Sequence, residues 1–330
     1  MRSFRLSKLV SASLVAAGML VGASTASLAG AAWPAHTIKF IVPFPAGGAT
    51  DTIARVYADK LSEALKQPVV VDNKPGAGTA IAAEYVATAE PDGYTIALAP
   101  AAQLAILPHI NSNIRFDPFK SFAPVSLLAS VPYVIAASPN TPIANVKELI
   151  AAAKKDPGKL TYSSCGPGTM CHLSGEMFKS QTGTDLLHVP FKGSAPAINA
   201  LIGDQVNLAF DTLTVLAPQI RDGKVKGLAI GSRERSPLLP NVPTATEAGL
   251  PDYAVESWFG LVVPAATPTD IVQRLNAEIV RIGNLPDVKE RLGAQGLTVK
   301  TNTPEEYAQL IRTDYARWGH VVDASGAQIN

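Results

Sequence analysis

Two kinds of segment alternate along most of this chain. Short apolar segments rich in β-branched residues alternate with longer segments whose apolar residues have helical spacing. Residues 37–42 are typical of a buried strand, and residues 51–65 of an amphipathic helix. The alternation starts again after Pro139, with a strand at 160–163 and a helix at 169–181. Strands that alternate with helices pair in parallel, so the sequence predicts an α/β fold with two such units.

The remaining segments follow the same pattern, and the last part of the chain is more helical. Asn145 and Glu148 have the spacing of a capping box, which predicts a helix that ends before Pro157. Residues 267–270 and 303–306 each place a threonine N-cap before a proline and an acid, which predicts two further helices. The other predicted strands are 68–71, 94–98, 186–189, 206–210 and 225–230, and the other predicted helices are 79–87, 194–202 and 213–221.

The N-terminus has the three parts of a secretory signal peptide. Basic residues lie within the first eight positions, an uncharged apolar stretch covers residues 9–28, and small residues fill 29–32. A membrane anchor is the alternative, because the apolar stretch is nearly long enough to span a bilayer. Its glycines and its alanine-rich end favour cleavage. We therefore predict a signal peptide at 1–32, a mature N-terminus between Gly30 and Trp33, and a periplasmic location.

Charge and length narrow the function classes. The chain has 28 basic and 27 acidic side chains, so it lacks the basic excess that a nucleic-acid partner requires. The mature chain of about 300 residues is long enough for two domains, each with its own core. After the N-terminal stretch, no apolar run is long enough to span a bilayer, so we expect a soluble mature protein.

Three loops rich in glycine and proline follow predicted strands, at residues 43–51, 73–78 and 163–169. Loops at the carboxyl ends of parallel strands open onto helix N-termini, where free N–H groups and the helix dipole favour anions. None of the loops matches a nucleotide-binding motif. Each alone is more typical of an ordinary turn. Thr50 or Asp51 is placed to cap the helix that follows, and Asp51 by itself is more typical of a cap than of a ligand contact. The pairing of the first and last loops on separate units favours a small dianion.

The sequence predicts neither catalytic residues nor a metal or cofactor site. No two histidines have the i,i+3 or i,i+4 spacing of a helical metal pair, and no Gly-x-Ser-x-Gly motif occurs. His172, one turn into a predicted helix, is expected to be structural. Cys165 and Cys171 bracket the third of these loops, and either a disulfide or two free thiols is compatible with the sequence.

Several motifs resemble those of the Bug-type receptors, the periplasmic solute-binding proteins of tripartite tricarboxylate transporters. The resemblance covers essentially the whole mature chain, in order. The segments that carry it are 43–51 with Ala54 and Arg55, 73–78, 91–95, 188–197, 210–211, 256–260 and 264–268.

The family resemblance implies a two-lobed type II periplasmic binding fold, a Venus flytrap with two interlobe crossovers. The crossovers are expected near 131–138 and 253–259. Lobe 1 then comprises residues 33–134 and 255–330, and lobe 2 comprises residues 135–254. Trp258, beside the second crossover, is expected either to line the cleft or to pack in the core.

The resemblance also implies a ligand site in which backbone amides hold a carboxylate. One wall is expected to contain Phe44, Ala46, Gly47, Gly48 and Thr50, with Ala101 and Gln103 from the loop after the third strand. The other wall is expected to contain Gly166, Gly168, Thr169 and Asp211. The loop at 99–103 and the two cysteines depart from commoner residue types of the family, which leaves the identity of the ligand open.

The function that follows is non-catalytic capture of a small organic carboxylate. The expected partner is a membrane permease of a tripartite transporter or a sensor protein, and we expect a monomer that needs no cofactor. The alternative is a secreted hydrolase or isomerase on the same α/β scaffold. The fold does not distinguish these two, because function depends on the site.

Overall fold

The computed structural model describes residues 33–325, in which strands and helices follow one another largely as predicted. The predicted signal peptide lies outside the described residues. The strands are β1 (Ile38–Val42), β2 (Val69–Asn73), β3 (Thr95–Pro100), β4 (Phe122–Ala137), β5 (Thr161–Ser164), β6 (Leu187–Pro190), β7 (Leu208–Thr212), β8 (Lys226–Ile230), β9 (Glu256–Pro264) and β10 (Thr298–Val299). The α-helices are α1 (Ala49–Leu65), α2 (Ala80–Ala87), α3 (Leu107–Ile110), α4 (Val146–Lys155), α5 (Met170–Thr182), α6 (Ser194–Ile202), α7 (Leu213–Arg221), α8 (Thr269–Gly283), α9 (Pro286–Gly293) and α10 (Pro304–Ser325). A 3₁₀ turn, Ala77–Thr79, precedes α2, and a π-helical segment, Ala102–Ile106, precedes α3.

The strands form two sheets that share β4. In the first sheet the order is β2-β1-β3-β9-β4, and β10 also pairs with β4. In the second sheet the order is β4-β7-β5-β6, and β8 also pairs with β4. Both sheets have a parallel part, formed by β1 with β2 and β3 and by β5 with β6 and β7, as predicted. Helices therefore begin at the carboxyl edge of each sheet, and the candidate site lies there.

The two longest strands, β4 and β9, were predicted only as crossovers. β4 pairs with β9 through residues 122–132 and with β7 through residues 133–137, both antiparallel. Its burial is nearly continuous and does not alternate, and such a strand lacks the period-two signal of a half-exposed one. One 16-residue strand thus belongs to both sheets.

A second connection passes beside β4 at the point where it changes sheets. The N–H of Tyr133 donates to the carbonyl of Val255 at 2.9 Å, and the N–H of Gly231 donates to the carbonyl of Tyr133 at 2.8 Å. A Cβ on Gly231 would lie 2.7 Å from the carbonyl oxygen of Val255. Only glycine allows this close approach of the two chain segments.

Two of the three helix caps predicted at Asn145, Thr267 and Thr303 are confirmed. The side chain of Asn145 accepts from the N–H of Glu148 at 2.9 Å, at the start of α4. Thr303 and Glu306 form the reciprocal bonds of a capping box at α10. The third prediction was wrong, because Pro268 occupies the N-cap position of α8. Thr267 instead donates its N–H to the carbonyl of Pro264, in a turn that ends β9.

The C-terminal helix covers the first sheet and fixes Trp258. This tryptophan is buried, donates through Nε1 to Oδ2 of Asp314 at 2.6 Å, and lies edge-on to Tyr307. It therefore packs in the core between β9 and α10, the second of its two expected environments. Across residues 33–325, the helices lack the combined length and apolar character needed to cross a bilayer.

Candidate functional site

Asp51 organises the loop that joins β1 to α1. Its carboxylate is buried and accepts three hydrogen bonds: from the N–H of Gly47 at 2.9 Å, from Nε of Arg55 at 2.8 Å and from Nδ2 of Asn73 at 3.0 Å. The bond from Arg55, more than any other contact, lowers the pKa of Asp51 to about 2. The prediction that Thr50 or Asp51 caps α1 was wrong, because Gly48 is the N-cap and no side chain caps the helix. Asp51 fixes the loop instead.

This arrangement decides which backbone amides of loop 43–48 remain available. The amide of Gly47 is bound to Asp51, and the N–H of Thr52 donates to the carbonyl of Gly48 at 3.0 Å. The N–H groups of Ala49, Thr50 and Asp51 lie in the first turn of α1, where no intrahelical acceptor exists. Unsatisfied N–H groups of this kind, together with the helix dipole, favour an anion at the start of a helix.

The residues predicted for this wall all lie at the carboxyl edge of the first sheet. Four of them are exposed in loop 43–48, whereas Thr50 is buried in the first turn of α1. Ala101 and Gln103 are buried directly after β3, which pairs with β1. The carbonyl oxygen of the Gln103 side chain has no hydrogen-bond partner among the described residues. The four exposed residues are Phe44, Ala46, Gly47 and Gly48.

The glycine amides of the loop between β5 and α5 donate to side chains of the strand before it and the helix after it. The N–H of Gly166 donates to Oγ of Ser164 at 3.2 Å, and the N–H of Gly168 donates to Nδ1 of His172 at 3.2 Å. Thr169 is the N-cap of α5, and its Oγ1 accepts from the N–H of His172. The two glycine amides are therefore not free for a ligand. The N–H groups of Met170 and Cys171, in the first turn of α5, are the ones without an intrahelical acceptor.

The two cysteines form a disulfide across this loop. Cys165 directly follows β5 and Cys171 lies in the first turn of α5, with their Cα atoms 5.8 Å apart. The bond closes a short loop that contains Gly166, Gly168 and Thr169. Of the two alternatives left by the sequence, the structure has the disulfide.

Two stacked histidines hold the loop between β5 and α5 in place. The rings of His172 and His188 lie 4.0 Å apart between centroids, and Nε2 of His188 is 2.6 Å from Oγ of Ser164. Burial lowers the pKa of both, to about 4 for His188, where the neighbouring His172 adds to the effect. His172 has the structural position expected of it.

A polar cluster completes the support beneath the two rings. Nε2 of His172 lies 3.8 Å from Oε1 of Glu176, which also accepts from the hydroxyl of Tyr162 at 2.6 Å. Lys179 pairs with Glu176 at 3.1 Å. Burial, followed by the bond to Glu176, raises the pKa of Tyr162, so this phenol stays protonated.

Asp211 lies beside the disulfide, at the end of β7. It is only 3% exposed, and burial raises its pKa. Its Oδ1 accepts the N–H of Thr212 at 2.7 Å, and the side chain of Ser194 also bonds to it. A carboxylate oxygen of Asp211 and the sulfurs of Cys165 and Cys171 lie within 4.8 Å of one another. Because the sulfurs are bonded to each other, they offer no thiolate to a metal.

A cavity of about 400 Å³ lies between the start of α1 and α7. Gly47 and Ala49 line one side, and Leu213 and Thr214 line the other. Arg221 is the single charged residue among those that line it. Leu213 lies two residues after Asp211 and directly follows β7. The cavity therefore extends from the start of α1, on the first wall, to the end of β7, on the second wall. Loop 165–169 does not line this cavity.

Residues 53–327 match the profile of the tripartite tricarboxylate transporter family receptor. The chain belongs to this receptor family. Protein BugT of Bordetella pertussis is 36% identical over 298 residues, which are 90% of this chain and 91% of BugT. The periplasmic binding protein BugD is 36% identical, with a TM-score of 0.72 over 90% of this chain and 99% of BugD.

Two solved receptors of similar sequence contain a bound acid. A Rhodopseudomonas palustris protein with adipate is 34% identical, with a TM-score of 0.77 over 90% of this chain and 100% of that one. MatC of the same organism, with malate, is 35% identical, with a TM-score of 0.72 over 88% of this chain and 100% of MatC. The receptor described here has their α/β fold, the two-lobed fold of periplasmic binding proteins.

Sequence reasoning missed the residues that hold the receptor's two loops in place. Asp51 and Asn73 lie inside the motifs that carry the resemblance, but their side chains were not assigned to the loop at 43–48. His188 opens another of these motifs and supports Ser164. The motifs thus held a signal for these residues, although nothing in their spacing shows which ones pair.

Proposed function

We propose that this chain is a periplasmic receptor that binds a small organic carboxylate between two lobes and delivers it to the membrane permease of a tripartite transporter. One observation carries the proposal. The helices α1 and α5 begin at the carboxyl edges of the two sheets with first-turn amides that have no intrahelical acceptor. Relatives of similar sequence hold adipate and malate.

The proposed lobes are those expected from the sequence, residues 33–134 with 255–330, and residues 135–254. The pairing of β4 with strands of both sheets supports this division. The hydrogen bonds among Tyr133, Gly231 and Val255 lie where two chain segments pass between the sheets. This point is the proposed hinge.

The proposed anion contacts are main-chain donors. Ala49, Thr50 and Asp51 donate from α1, below the exposed residues Phe44, Ala46 and Gly48. Met170 and Cys171 donate from α5. Hydrogen bonds to a charged group contribute about 1.5–3 kcal/mol each. Loop 165–169, including Gly166, Gly168 and Thr169, positions the start of α5 and does not itself supply the donors.

Asp211 is proposed to determine which chemical groups the ligand can carry next to its carboxylate. A carboxylate has about four lone-pair sites, and its bonds with Ser194 and Thr212 fill part of that capacity. Ionised, Asp211 repels a second carboxylate and accepts from a hydroxyl, an amine or a water. A ligand that carries a donor group beside its acid fits this wall.

The location and partner follow from the family and from the N-terminus. A signal peptide at 1–32 would export the chain and leave a mature protein that begins between Gly30 and Trp33. The permease is the proposed partner, with a sensor protein as the alternative recipient. Intact-mass analysis of the periplasmic fraction tests the export. A chain that retains residues 2–28, or one recovered only in membranes, contradicts it.

Calorimetry with malate and adipate tests the site, with two glycine variants as a matched pair. Gly47 and Gly249 both have positive φ, 92° and 91°, and an added Cβ would meet nothing within 4 Å at either position. Gly47→Ala and Gly249→Ala therefore introduce similar backbone strain. Only Gly47→Ala displaces loop 43–48, so we expect about tenfold weaker binding for that variant alone. Equal affinity in both variants contradicts the anion site at α1.

Scattering tests the closure of the lobes. A ligand drives closure only if it binds the closed state more tightly than the open one, and donors on both walls engage together only when the cleft is shut. We expect a smaller radius of gyration with saturating ligand. Identical curves, with binding confirmed in the same sample, mean that the lobes are rigid. Analysis of the recovered ligand checks that it is not converted.

A further inference from the structure

The backbone between β2 and α2 is unusual. Gly76, Ala77, Gly78 and Thr79 all have positive φ, at 131°, 46°, 61° and 86°. Glycine adopts such values without a steric penalty, but a β-branched residue with positive φ is a genuine outlier. The N–H of Thr79 donates to the carbonyl of Gly76 at 3.0 Å, which holds the turn. Thr79 is therefore strained in a defined conformation.

The hydroxyl of Thr79 does not make the bond that its position normally provides. Thr79 is the N-cap of α2, where a threonine Oγ1 usually accepts an N–H from the first turn of the helix. Here it caps nothing. The residue is 4% exposed, and its Oγ1 has no partner within the described part of the chain. A buried hydroxyl without a partner is unfavourable, and in native proteins it calls for an explanation.

This residue lies at the same edge of the first sheet as the loop that leads to α1. Val42 and Asn73 are register partners at the ends of β1 and β2, so the chain leaves both strands side by side. Asn73 then ties the two connections together, because its Nδ2 donates to the carbonyl of Phe44 at 2.9 Å and to Asp51 at 3.0 Å. Thr79 follows Asn73 by six residues in the connection that leaves this edge of the sheet.

A second buried polar group without a partner lies in the neighbouring connection. Oε1 of Gln103 is unpartnered among residues 33–325, in a π-helical segment that follows β3. Leu107 lies one turn further on, and a Cβ on Gly78 would be 3.7 Å from its Cδ1. The connections that carry Thr79 and Gln103 therefore lie close together at Gly78 and Leu107. Short π-helical segments are frequent at functional sites.

We propose that Thr79 is a ligand-binding residue, whose hydroxyl donates to the acidic group held at the start of α1, beside the amide of Gln103. The inference rests on the proposed function and adds a side-chain contact to its main-chain donors. The ligand supplies the partner that the hydroxyl lacks. The strained backbone is maintained because it leaves the hydroxyl free of the usual cap bond to α2. Strain of this kind is typical of binding sites.

Three variants of Thr79, titrated with malate and adipate by calorimetry, test this role. Thr79→Ser keeps the hydroxyl, and Thr79→Val keeps the shape without it. Thr79→Gly removes the hydroxyl and relieves the strain at φ 86°. We expect Thr79→Ser to bind within about twofold of the wild type. We expect Thr79→Val and Thr79→Gly to bind at least about tenfold more weakly, as for the loss of a bond to a charged group.

The thermal midpoint separates a binding role from a structural one. Thr79→Gly is expected to melt a few degrees higher than the wild type and yet bind more weakly. If Thr79 had a purely structural role, its replacement by glycine would not combine a higher melting temperature with weaker binding. Wild-type affinity in both Thr79→Gly and Thr79→Val overturns the inference and leaves the proposed function intact. Failure of the wild type to bind any small carboxylate overturns the proposed function, and this inference with it.

Discussion

The N–H of Gly168 donates to Nδ1 of His172 at 3.2 Å. This bond requires an unprotonated Nδ1, so it fixes the tautomer of the imidazole as well as the position of the loop. It also removes the amide of Gly168 from the donors that a ligand can use. The loop between β5 and α5 therefore depends on a side chain one turn into the helix that follows it.

Replacement of His172 should weaken ligand binding more than it weakens the fold. His172→Ala removes the acceptor of the Gly168 amide and one half of the stacked pair with His188. We expect at least fivefold lower affinity for malate or adipate by calorimetry. His109→Ala is the matched control, because that ring bonds to the carbonyl of Tyr315 on α10 at 2.9 Å. An equal loss of affinity in both variants would show that the loop is not specifically involved.

Acid should destabilise the receptor through the same pair. Burial lowers the pKa of His172, and it lowers the pKa of His188 from 6.5 to about 4. Because the unfolded chain binds these protons more readily, protonation favours unfolding. The free energy of unfolding that depends on the two neutral imidazoles is at its full value above about pH 6.5, and it decreases as the pH falls toward 4. Glu176 faces His172 and partly opposes this effect, while Lys179 adds to it.

Urea unfolding at a series of pH values measures this dependence. His188→Gln keeps a polar partner for Ser164 but does not titrate, so its free energy of unfolding should change less between pH 6.5 and 4 than that of the wild type. Parallel profiles for the two proteins would show that His188 is not responsible for the acid sensitivity.

Removal of the disulfide should affect both stability and binding. The bond between Cys165 and Cys171 spans a sequence separation of 6, and the loop-entropy relation gives about 2 kcal/mol for a ring of that size. The double variant Cys165→Ser with Cys171→Ser should lose about that much free energy of unfolding. Its affinity should fall as well, since the donor amide of Cys171 lies next to the freed loop. Unchanged affinity would mean that the hydrogen bonds of Gly166 and Gly168 alone hold the loop.

Asp51 should be essential for the geometry of loop 43–48. Asp51→Asn loses the charge that pairs with Arg55 and weakens the bond from Gly47. We expect about tenfold weaker ligand binding, together with a loss of the stability that the low pKa of Asp51 provides above pH 3.8. In the wild type this stability disappears as the pH falls through about 2. Asp59→Asn, an exposed change on the same helix, is the control. Similar affinities in the two variants would refute the role assigned to Asp51.

The bond between Trp258 and Asp314 should matter for folding and not for ligand binding. Asp314→Ala leaves the buried indole N–H without its acceptor at 2.6 Å, and we expect a loss of about 1–3 kcal/mol in the free energy of unfolding. Affinity should stay within about twofold. For the same reason, tryptophan emission from this residue should change little on binding. A large change in affinity would place Trp258 nearer to the cleft than the core packing indicates.

The parallel part of the fold was predictable from the sequence because its signals are local. The helix at 194–202 and the helix at 213–221 have the predicted bounds, and Asn145 caps α4 as its spacing indicates. β4 and β9 were not predicted as strands, because both are buried on nearly every residue and pair with segments far away in the chain. Their partners are set by tertiary contacts that no local pattern contains.

The candidate site was predictable at the level of loops and not at the level of atoms. The motifs pointed to the loops around Gly48 and Gly168, which lie between a strand and a helix, because glycine and proline mark strand ends. The partners of the Gly168 and Gly47 amides are His172 and Asp51, each four residues further along. Residues so spaced commonly cap or pair within a helix, so the spacing did not reveal that they close the loop before it.

The position of β9 has a consequence for the order in which the parts of the chain fold. The strands of the second sheet lie within residues 133–230, so this sheet can form before the last hundred residues are synthesised. The first sheet has β9 between β3 and β4, and it is covered by α10. The strands β1, β2 and β3 are synthesised first, but they can complete this sheet only after β9 is present. A truncation before residue 256 should leave β1, β2 and β3 without a complete sheet, exposed to aggregation and to proteases, while the middle of the chain is already folded.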